Sequence, residues 1–126
     1  MSITTRVTRT DITPANRSEV RVNVSNGGSP GGGSQFHCNV FVNYNSRAIT
    51  YVPSSGTPVP DEVDDANGVI AWYDTRADNT SGGSNFYVQF DCTSASLVST
   101  ITASAVEIRG AFGSSTDRVD KDCSGN

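Results

Sequence analysis

The densest group of potential metal ligands lies in residues 61–68, which read Asp-Glu-Val-Asp-Asp-Ala-Asn-Gly. Calcium takes six to eight oxygen ligands from carboxylates, carbonyls and waters, and this segment offers several within a few residues. The spacing differs from that of an EF-hand loop, because Val63 occupies the third position counted from Asp61. A solvated acidic turn is therefore the favoured interpretation. The alternative is a calcium site formed by Asp61, Asp64, Asp65 and Asn67.

Residues suited to catalysis are sparse. The single histidine, His37, precedes Cys38 in a segment of alternating polarity, and consecutive side chains of a strand point to opposite faces. The two side chains therefore cannot act together as a base and a nucleophile. No pair of carboxylates is singled out for hydrolysis, and the glycine-rich segment 27–33 precedes a predicted strand rather than a phosphate-binding helix. We expect a protein that is not an enzyme.

The three cysteines allow several arrangements. Cys38 and Cys92 each extend the apolar face of a predicted strand, so they are candidates for a disulfide between two sheets. Two buried free thiols are the other interpretation, because free thiols pack as small apolar side chains. Cys123 lies in a polar C-terminal segment, where an odd cysteine indicates pairing with another chain or simple tolerance. One histidine and no Cys-x-x-Cys motif disfavour a zinc site.

Charge is distributed unevenly along a chain whose net charge is −4. The first 60 residues contain five arginines and two acidic residues, whereas residues 61–91 contain seven acidic residues and one arginine. Solvated loops produce such gradients, but a basic patch on one copy could also meet an acidic patch on the next. That contact would pair Asp61, Asp64, Asp65 and Asp78 with Arg6, Arg9, Arg17 and Arg21. The pI of 4.7 disfavours nucleic-acid binding.

Aromatic residues near the acidic segment indicate a second kind of binding surface. Trp72 and Tyr73 are consecutive in a predicted strand and therefore point to opposite faces. We expect the larger Trp72 to be buried. Tyr73 and Tyr87 are then candidate surface aromatics, which could stack on sugars or anchor contacts between subunits.

Strands must position these residues, because the composition is unfavourable for helices. The chain holds 14 valines and 13 threonines but one leucine and one lysine, and β-branched residues suit a pleated surface. Period-two alternation predicts strands at Ile3–Arg9, Glu19–Val24, Gln35–Tyr44, Arg47–Val52, Val69–Asp74, Asn85–Cys92, Leu97–Ala103 and Ala105–Phe112. We therefore expect an all-β protein: a single antiparallel β-sandwich or jelly-roll-like domain of about seven or eight short strands, with essentially no helix.

The predicted strands define one domain, residues 1–112, followed by a polar tail, residues 113–126. No stretch of the sequence is apolar for the length that spans a bilayer, and the first residues lack the apolar core of a signal peptide. The many serine, threonine, asparagine and glycine residues are nevertheless typical of an exterior protein. We expect a location on a virion or an extracellular surface.

Apolar residues make up 35% of the chain, so the core is thin and support from neighbouring subunits is favoured. The primary hypothesis is a non-catalytic structural protein that self-assembles with its own copies or with other structural subunits. Its specific form is a virion outer-shell component, such as a small capsid, cement or decoration protein of a bacteriophage, or a surface filament subunit. The alternative is a carbohydrate-binding module or lectin, with calcium as an assisting ion.

Overall fold

The computed structural model describes residues 3–14, 16–26, 35–78, 83–108 and 113–124. These residues form nine strands and no helix. A helix that is long and apolar enough to cross a membrane is therefore absent from the described ranges. The strands make two antiparallel sheets that pack face to face. The prediction of an all-β sandwich is confirmed. The glycine-rich segment 27–34 lies outside the described residues.

The two sheets contain four and five strands. The four-stranded sheet is formed by β1 (Ile3–Ile12), β2 (Arg17–Asn26), β4 (Ile49–Tyr51) and β7 (Ser84–Cys92). The five-stranded sheet is formed by β3 (Gln35–Asn43), β5 (Glu62–Asp64), β6 (Val69–Asp78), β8 (Val98–Glu107) and β9 (Ser114–Asp122). The strand orders are β1-β2-β7-β4 and β5-β6-β3-β8-β9.

Inward-facing side chains of both sheets share one core. Alternation along β2 buries Val20, Val22 and Val24 completely. Trp72 of β6 packs against Phe86 of β7 across the space between the sheets, with ring centroids 5.2 Å apart. The prediction that Trp72 is buried is confirmed, since it is 2% exposed. Seven of the 20 buried residues that form this core in the described part of the chain are valines and four are isoleucines, because β-branched side chains fit a pleated surface.

Three elements differ from the sequence prediction. The strands predicted at 97–103 and 105–112 form the single strand β8, because no turn interrupts the alternation between them. Residues 109–112 of that prediction lie outside the described residues. The short strand β5 lies inside the predicted acidic loop, where it pairs with β6. Strand β9 lies in the segment that the sequence marks as a polar tail.

Strand β9 belongs to the sandwich, so the predicted tail of residues 113–126 is corrected. It pairs with β8 along its whole length, from Ser114 to Asp122. Its inward positions are mostly polar, and Val119 is the one apolar side chain of β9 that packs partly against the core. Because neither side of β9 is apolar, the strand has no apolar period that the sequence could reveal.

Side chains of β9 occupy the outer edge of β1. The Thr5 amide donates to the Ser115 hydroxyl oxygen at 2.9 Å, and the Val7 amide donates to a carboxylate oxygen of Asp117 at 2.9 Å. The Thr5 hydroxyl also donates to the Ser115 carbonyl at 3.3 Å. Unpaired strand edges are templates for pairing with another chain. These contacts, which we call the β1–β9 seam, engage the amides of Thr5 and Val7, so these two amides are not available to pair with another chain.

The segment 52–64 closes the other side of the sandwich. Thr57 and Tyr87 exchange two backbone hydrogen bonds, which adds a bridge beside β7. Further along, the Asp61 amide donates to the Ala71 carbonyl at 2.9 Å, next to the pairing of β5 with β6. The segment therefore crosses from the four-stranded sheet to the five-stranded sheet and pairs with both.

A disulfide joins Cys92, at the end of β7, to Cys123, which follows β9. It links the two sheets across a sequence separation of 31 residues. The predicted bond between Cys38 and Cys92 is therefore wrong, because β9 carries Cys123 to the end of β7 while Cys38 lies within β3. Cys38 is a buried free thiol. Burial, and secondarily the charge of Glu107, raises the pKa of Cys38 to about 11.

Replacing Cys123 with serine is expected to lower the free energy of unfolding by about 3–4 kcal/mol, because the disulfide restricts the unfolded chain over a loop of this length. Denaturant unfolding followed by circular dichroism measures the loss. Alkylation of the unfolded, non-reduced wild-type protein should label Cys38 alone. Labelling of Cys123 under those conditions would contradict the pairing.

Candidate functional site

Asp65 connects the acidic segment, residues 61–68, to neighbouring parts of the chain through hydrogen bonds. Its carboxylate accepts hydrogen bonds from the hydroxyl groups of Tyr44 and Thr50, and from the Tyr51 amide at 2.9 Å. Burial raises the pKa of Asp65, but these three donors outweigh burial and leave the pKa below its ordinary value. Burial, followed by the contact with Asp65, raises the pKa of Tyr44. Asp65 is therefore a structural acceptor rather than a free ligand.

The other residues of the predicted calcium site bind different partners. Asp61 accepts from the Tyr73 amide at 2.7 Å, and Asp64 accepts from the Asn67 side-chain amide at 2.8 Å. Across the described ranges, no group of three or more acidic, histidine or cysteine side chains is placed to hold a metal ion. The structure does not bring Asp61, Asp64, Asp65 and Asn67 together, because each carboxylate fixes a separate turn or strand.

Two of the predicted interface arginines are paired within the chain. Arg17 binds the carboxylate of Asp91 through two nitrogens, at 2.8 and 2.9 Å, and this contact lowers the pKa of Asp91. Arg9 forms an ion pair with Asp11 near the β1–β9 seam. Both guanidinium groups already have carboxylate partners within the chain.

The Asp11 carboxylate also holds the end of the β1–β9 seam. Ser18 donates to it at 2.7 Å, and the almost buried ammonium group of Lys121 lies 3.3 Å away. The hydrogen bond from Ser18, reinforced by Arg9 and Lys121, lowers the pKa of Asp11 to about 2 against the opposing effect of burial. The one lysine of the sequence is thus a structural group, which explains how β9 can turn a charged side chain inward.

Arg6 and Arg21, the other two predicted interface arginines, lie elsewhere. Both are exposed and point outward from the four-stranded sheet, because their neighbours in sequence point into the core. Neither forms an ion pair with any described residue. The predicted acidic partner Asp78 ends β6, and its side chain lies outside what the structure describes.

The two predicted surface tyrosines lie on opposite faces of the sandwich. Tyr73 points outward from the five-stranded sheet and is 44% exposed. Tyr87 lies between the buried residues Phe86 and Val88, so it points outward from the four-stranded sheet. A sugar-binding site that uses both tyrosines is therefore not formed. Strand order decides this arrangement, since each tyrosine faces away from the core of its own sheet.

Tyr73 belongs to an apolar cluster on the outer face of the five-stranded sheet. Its ring lies edge-on to Phe41 of β3, with centroids 6.0 Å apart and an interplanar angle of 74°. Val106 on β8 is 41% exposed, and Ile108 just beyond β8 is 48% exposed. The members lie on or beside three adjacent strands, β6, β3 and β8. We call this surface, defined by Phe41, Tyr73, Val106 and Ile108, the apolar face.

A β-bulge shapes the apolar face beside Tyr73. Two residues of β6, Tyr73 and Asp74, stand opposite the single residue Asn39 of β3. Asp74 has a positive φ of 49°, and its amide donates to the Asn39 side-chain oxygen at 2.9 Å. His37 Nδ1 lies 2.8 Å from an Asp74 carboxylate oxygen. Bulges bend a strand locally and redirect its side chains, and this bulge sets Tyr73 beside polar partners.

The outer face of the four-stranded sheet is polar. We call this surface the polar face, and two of its cross-strand rows are Arg6, Asn23 and Asn85, then Thr8, Arg21 and Tyr87. None of the large apolar residues that are exposed in the described part of the chain lies on this face. The two outer faces of the sandwich therefore differ in chemistry.

Sequence reasoning missed most of the apolar face. It found Tyr73 but not Phe41, Val106 or Ile108. For Phe41 the signal was present, because the residue lies between the inward-facing Val40 and Val42 and must therefore point outward. For Val106 and Ile108 the signal was hidden by the two shorter strands predicted in place of β8.

Comparisons with known proteins identify the fold alone. No protein-family model matches the sequence, and no curated protein matches it. A cohesin module from a Clostridium perfringens ATCC13124 family 33 glycoside hydrolase has a TM-score of 0.53 and 15% identity, over 96% of this chain and 97% of that chain. The Fcho1 Mu homology domain of Danio rerio, with bound Eps15 peptide, has a TM-score of 0.49 and 10% identity, over 93% of this chain and 42% of that chain.

The N-terminal domain of PorA gives a TM-score of 0.43 and 11% identity, over 99% of this chain and 88% of that domain's chain. The likeness to the cohesin module covers nearly the whole of both chains and agrees with the two-sheet arrangement. The chain is thus similar in fold to a β-sandwich module of a larger enzyme.

Asp65→Asn is expected to lower the free energy of unfolding by about 1–3 kcal/mol, because a neutral amide replaces a carboxylate that accepts from three donors. The lowered pKa of Asp65 gives the sign of the pH dependence. Its carboxylate stabilises the fold above the unfolded-state pKa, and this contribution is lost as pH falls through the folded-state pKa.

Denaturant unfolding at neutral and acidic pH checks this prediction. The variant should lack the Asp65 component of the acid-induced loss. Asp120→Asn, an exposed substitution on β9, is the matched control and should leave stability almost unchanged. Equal effects of the two substitutions would contradict the structural role of Asp65.

Proposed function

We propose that this protein is a non-catalytic structural module that assembles with copies of itself through the outer faces of its sheets. The observation that carries the proposal is the apolar face, where Tyr73, Val106 and Ile108 are each more than 40% exposed. Exposed apolar side chains that are grouped on one face of a sheet mark interaction sites more often than isolated ones do, and here the polar residue Asn39 lies opposite Val106 within the group. Tyrosine is also enriched where proteins meet.

Hydrogen bonds at parts of the sheet edges support contact through faces rather than through added strands. The amides of Thr5 and Val7 at the edge of β1 are bonded to β9. The segment 52–64 pairs with both sheets on the other side. A partner strand would have to displace these bonds before it could pair, whereas the apolar face offers side chains that need no such exchange.

The environment of the reactive side chains supports a role without catalysis. Burial raises the pKa of Cys38 well above neutral, which disfavours the nucleophilic thiolate. His37 contacts the carboxylate of Asp74 on an open sheet face, and Asp65 is engaged by three donors. These groups hold strands and turns together, and they do not converge on one cleft.

An exterior location fits the same proposal. Structural disulfides persist in oxidising surroundings, so the bond between Cys92 and Cys123 supports an extracellular or particle surface. Within that setting we propose an outer-shell component of a virion, such as a bacteriophage capsid decoration protein, or a subunit of a surface filament. The composition, rich in polar residues and poor in lysine, is the sequence feature that supports this assignment.

Carbohydrate binding is the second candidate. Tyr73 exposes its ring, and its hydroxyl donates to Glu62 at 2.6 Å, an arrangement that offers a stacking surface beside hydrogen-bond acceptors. Tyr87 cannot contribute to the same site from the opposite sheet. Sugar binding is supported by the single ring of Tyr73, whereas a protein contact is supported by the four apolar side chains of the apolar face. We therefore place carbohydrate binding second.

Val106→Asn should weaken self-association about tenfold, because a side-chain amide in an apolar contact loses its water without gaining a partner and leaves the charge of the face unchanged. Sedimentation velocity over a dilution series measures the association constant. Val59→Asn is the matched control, since Val59 is 82% exposed in the loop before β5 and is not one of the four residues of the apolar face. Equal association of the two variants, or a wild-type protein that stays monomeric throughout, would refute assembly through the apolar face.

A further inference from the structure

The two outer faces of the sandwich carry opposite balances of charge. Five carboxylates lie on or beside the apolar face, against two guanidinium groups; the acids are Asp61, Glu62, Asp74, Asp120 and Asp122, and the bases are Arg76 and Arg118. The polar face has the reverse balance, with the bases Arg6, Arg17 and Arg21 and the acids Glu19 and Asp91. The apolar face therefore repels a copy of itself, and it attracts the polar face, which has one guanidinium group more than it has carboxylates.

The arginines of the polar face differ in whether a carboxylate of the same chain already neutralises them. Asp91 neutralises Arg17 through a two-pronged contact, so that pair contributes little to a partner. Arg6 and Arg21 are exposed on neighbouring strands, and no described residue forms an ion pair with either. Together they make a basic strip across β1 and β2, beside which Glu19 is the one carboxylate of the polar face outside the Arg17–Asp91 pair. A carboxylate-bearing surface is the partner that this strip fits.

We propose that assembly is head to tail: the apolar face of one copy packs on the polar face of the next, with Arg6 and Arg21 meeting carboxylates beside Tyr73. This inference rests on the proposed function and adds the identity of the receiving surface. Packing of two apolar faces on each other would bury more apolar area, but it would also bring two sets of five carboxylates together. Charge therefore selects the unlike pair of faces.

A head-to-tail contact has a structural consequence that a symmetric contact lacks. A twofold contact uses the same surface on both copies and stops at a dimer, whereas unlike surfaces leave a free face at each end. Repetition of the contact produces a ring or an open filament. The carboxylates next to the contact, Asp61 and Glu62, hold the Tyr73 amide and hydroxyl, so the acidic side of the surface is fixed before a partner arrives.

Two variants, each with one disabled face, test the proposal. Val106→Asn disables the apolar face without changing its charge, and the double variant Arg6→Glu with Arg21→Glu disables the polar face. Each alone should associate at least about tenfold more weakly than wild type, because each variant keeps only one of the two faces that the contact needs. Mixed in equal amounts, the two should form a one-to-one dimer that grows no further, and added salt should weaken it.

Light scattering coupled to size-exclusion chromatography measures the mass of each sample, and circular dichroism checks that both variants are folded. Arg47→Glu, an exposed reversal in the turn before β4, is the matched control and should assemble like wild type. If the polar-face variant self-associates normally and the mixture gives no heterodimer, head-to-tail packing is wrong while assembly through the apolar face stands. If Val106→Asn assembles like wild type, the proposed function itself fails.

Discussion

Backbone N–H and C=O groups at the edge of a β-sheet need hydrogen-bond partners, and this requirement governs how the sandwich is completed. On one side the amides of Thr5 and Val7 are bonded to side chains of Ser115 and Asp117 on β9. On the other side the segment 52–64 pairs with both sheets. The chain thus bonds its own edge amides at Thr5 and Val7 and adds a bridge beside β7, and at these positions a partner meets the outer faces rather than a free edge.

The same requirement explains why a polar strand can complete a thin core. Strand β9 contributes acceptors to β1, and the ammonium group of Lys121 approaches Asp11 at the end of the β1–β9 seam. These contacts bring few apolar atoms, so β9 gains little from burial. The disulfide between Cys92 and Cys123 ties the end of the strand to the opposite sheet. A covalent link thereby supplies what hydrophobic contact along β9 does not.

Alternation in the sequence was sufficient for the fold class and for strands such as β2 and β7, because one side of each is apolar. It was insufficient for β9, because the side chains of β9 that accept hydrogen bonds from β1 are polar, and polar residues in a sequence are typical of solvent-facing positions. Because Cys123 was placed in a polar tail, Cys38 was considered as the disulfide partner of Cys92. Tyr73 and Tyr87 were both expected at the surface, but only the strand order shows that they lie on different sheets. The carboxylate of Asp65 was available as a ligand in the sequence, and tertiary donors make it a structural group.

Contact through faces, with the edges left intact, is the central claim, and amide NMR spectra recorded over a dilution series test it most directly. Concentration-dependent shifts should fall on Phe41, Tyr73 and Val106 of the apolar face and on Arg21 of the polar face. The amides of Thr5 and Val7 should keep their positions and their protection from exchange. Shifts confined to the β1 edge or to segment 52–64, with an unchanged apolar face, would contradict the claim and indicate strand addition instead.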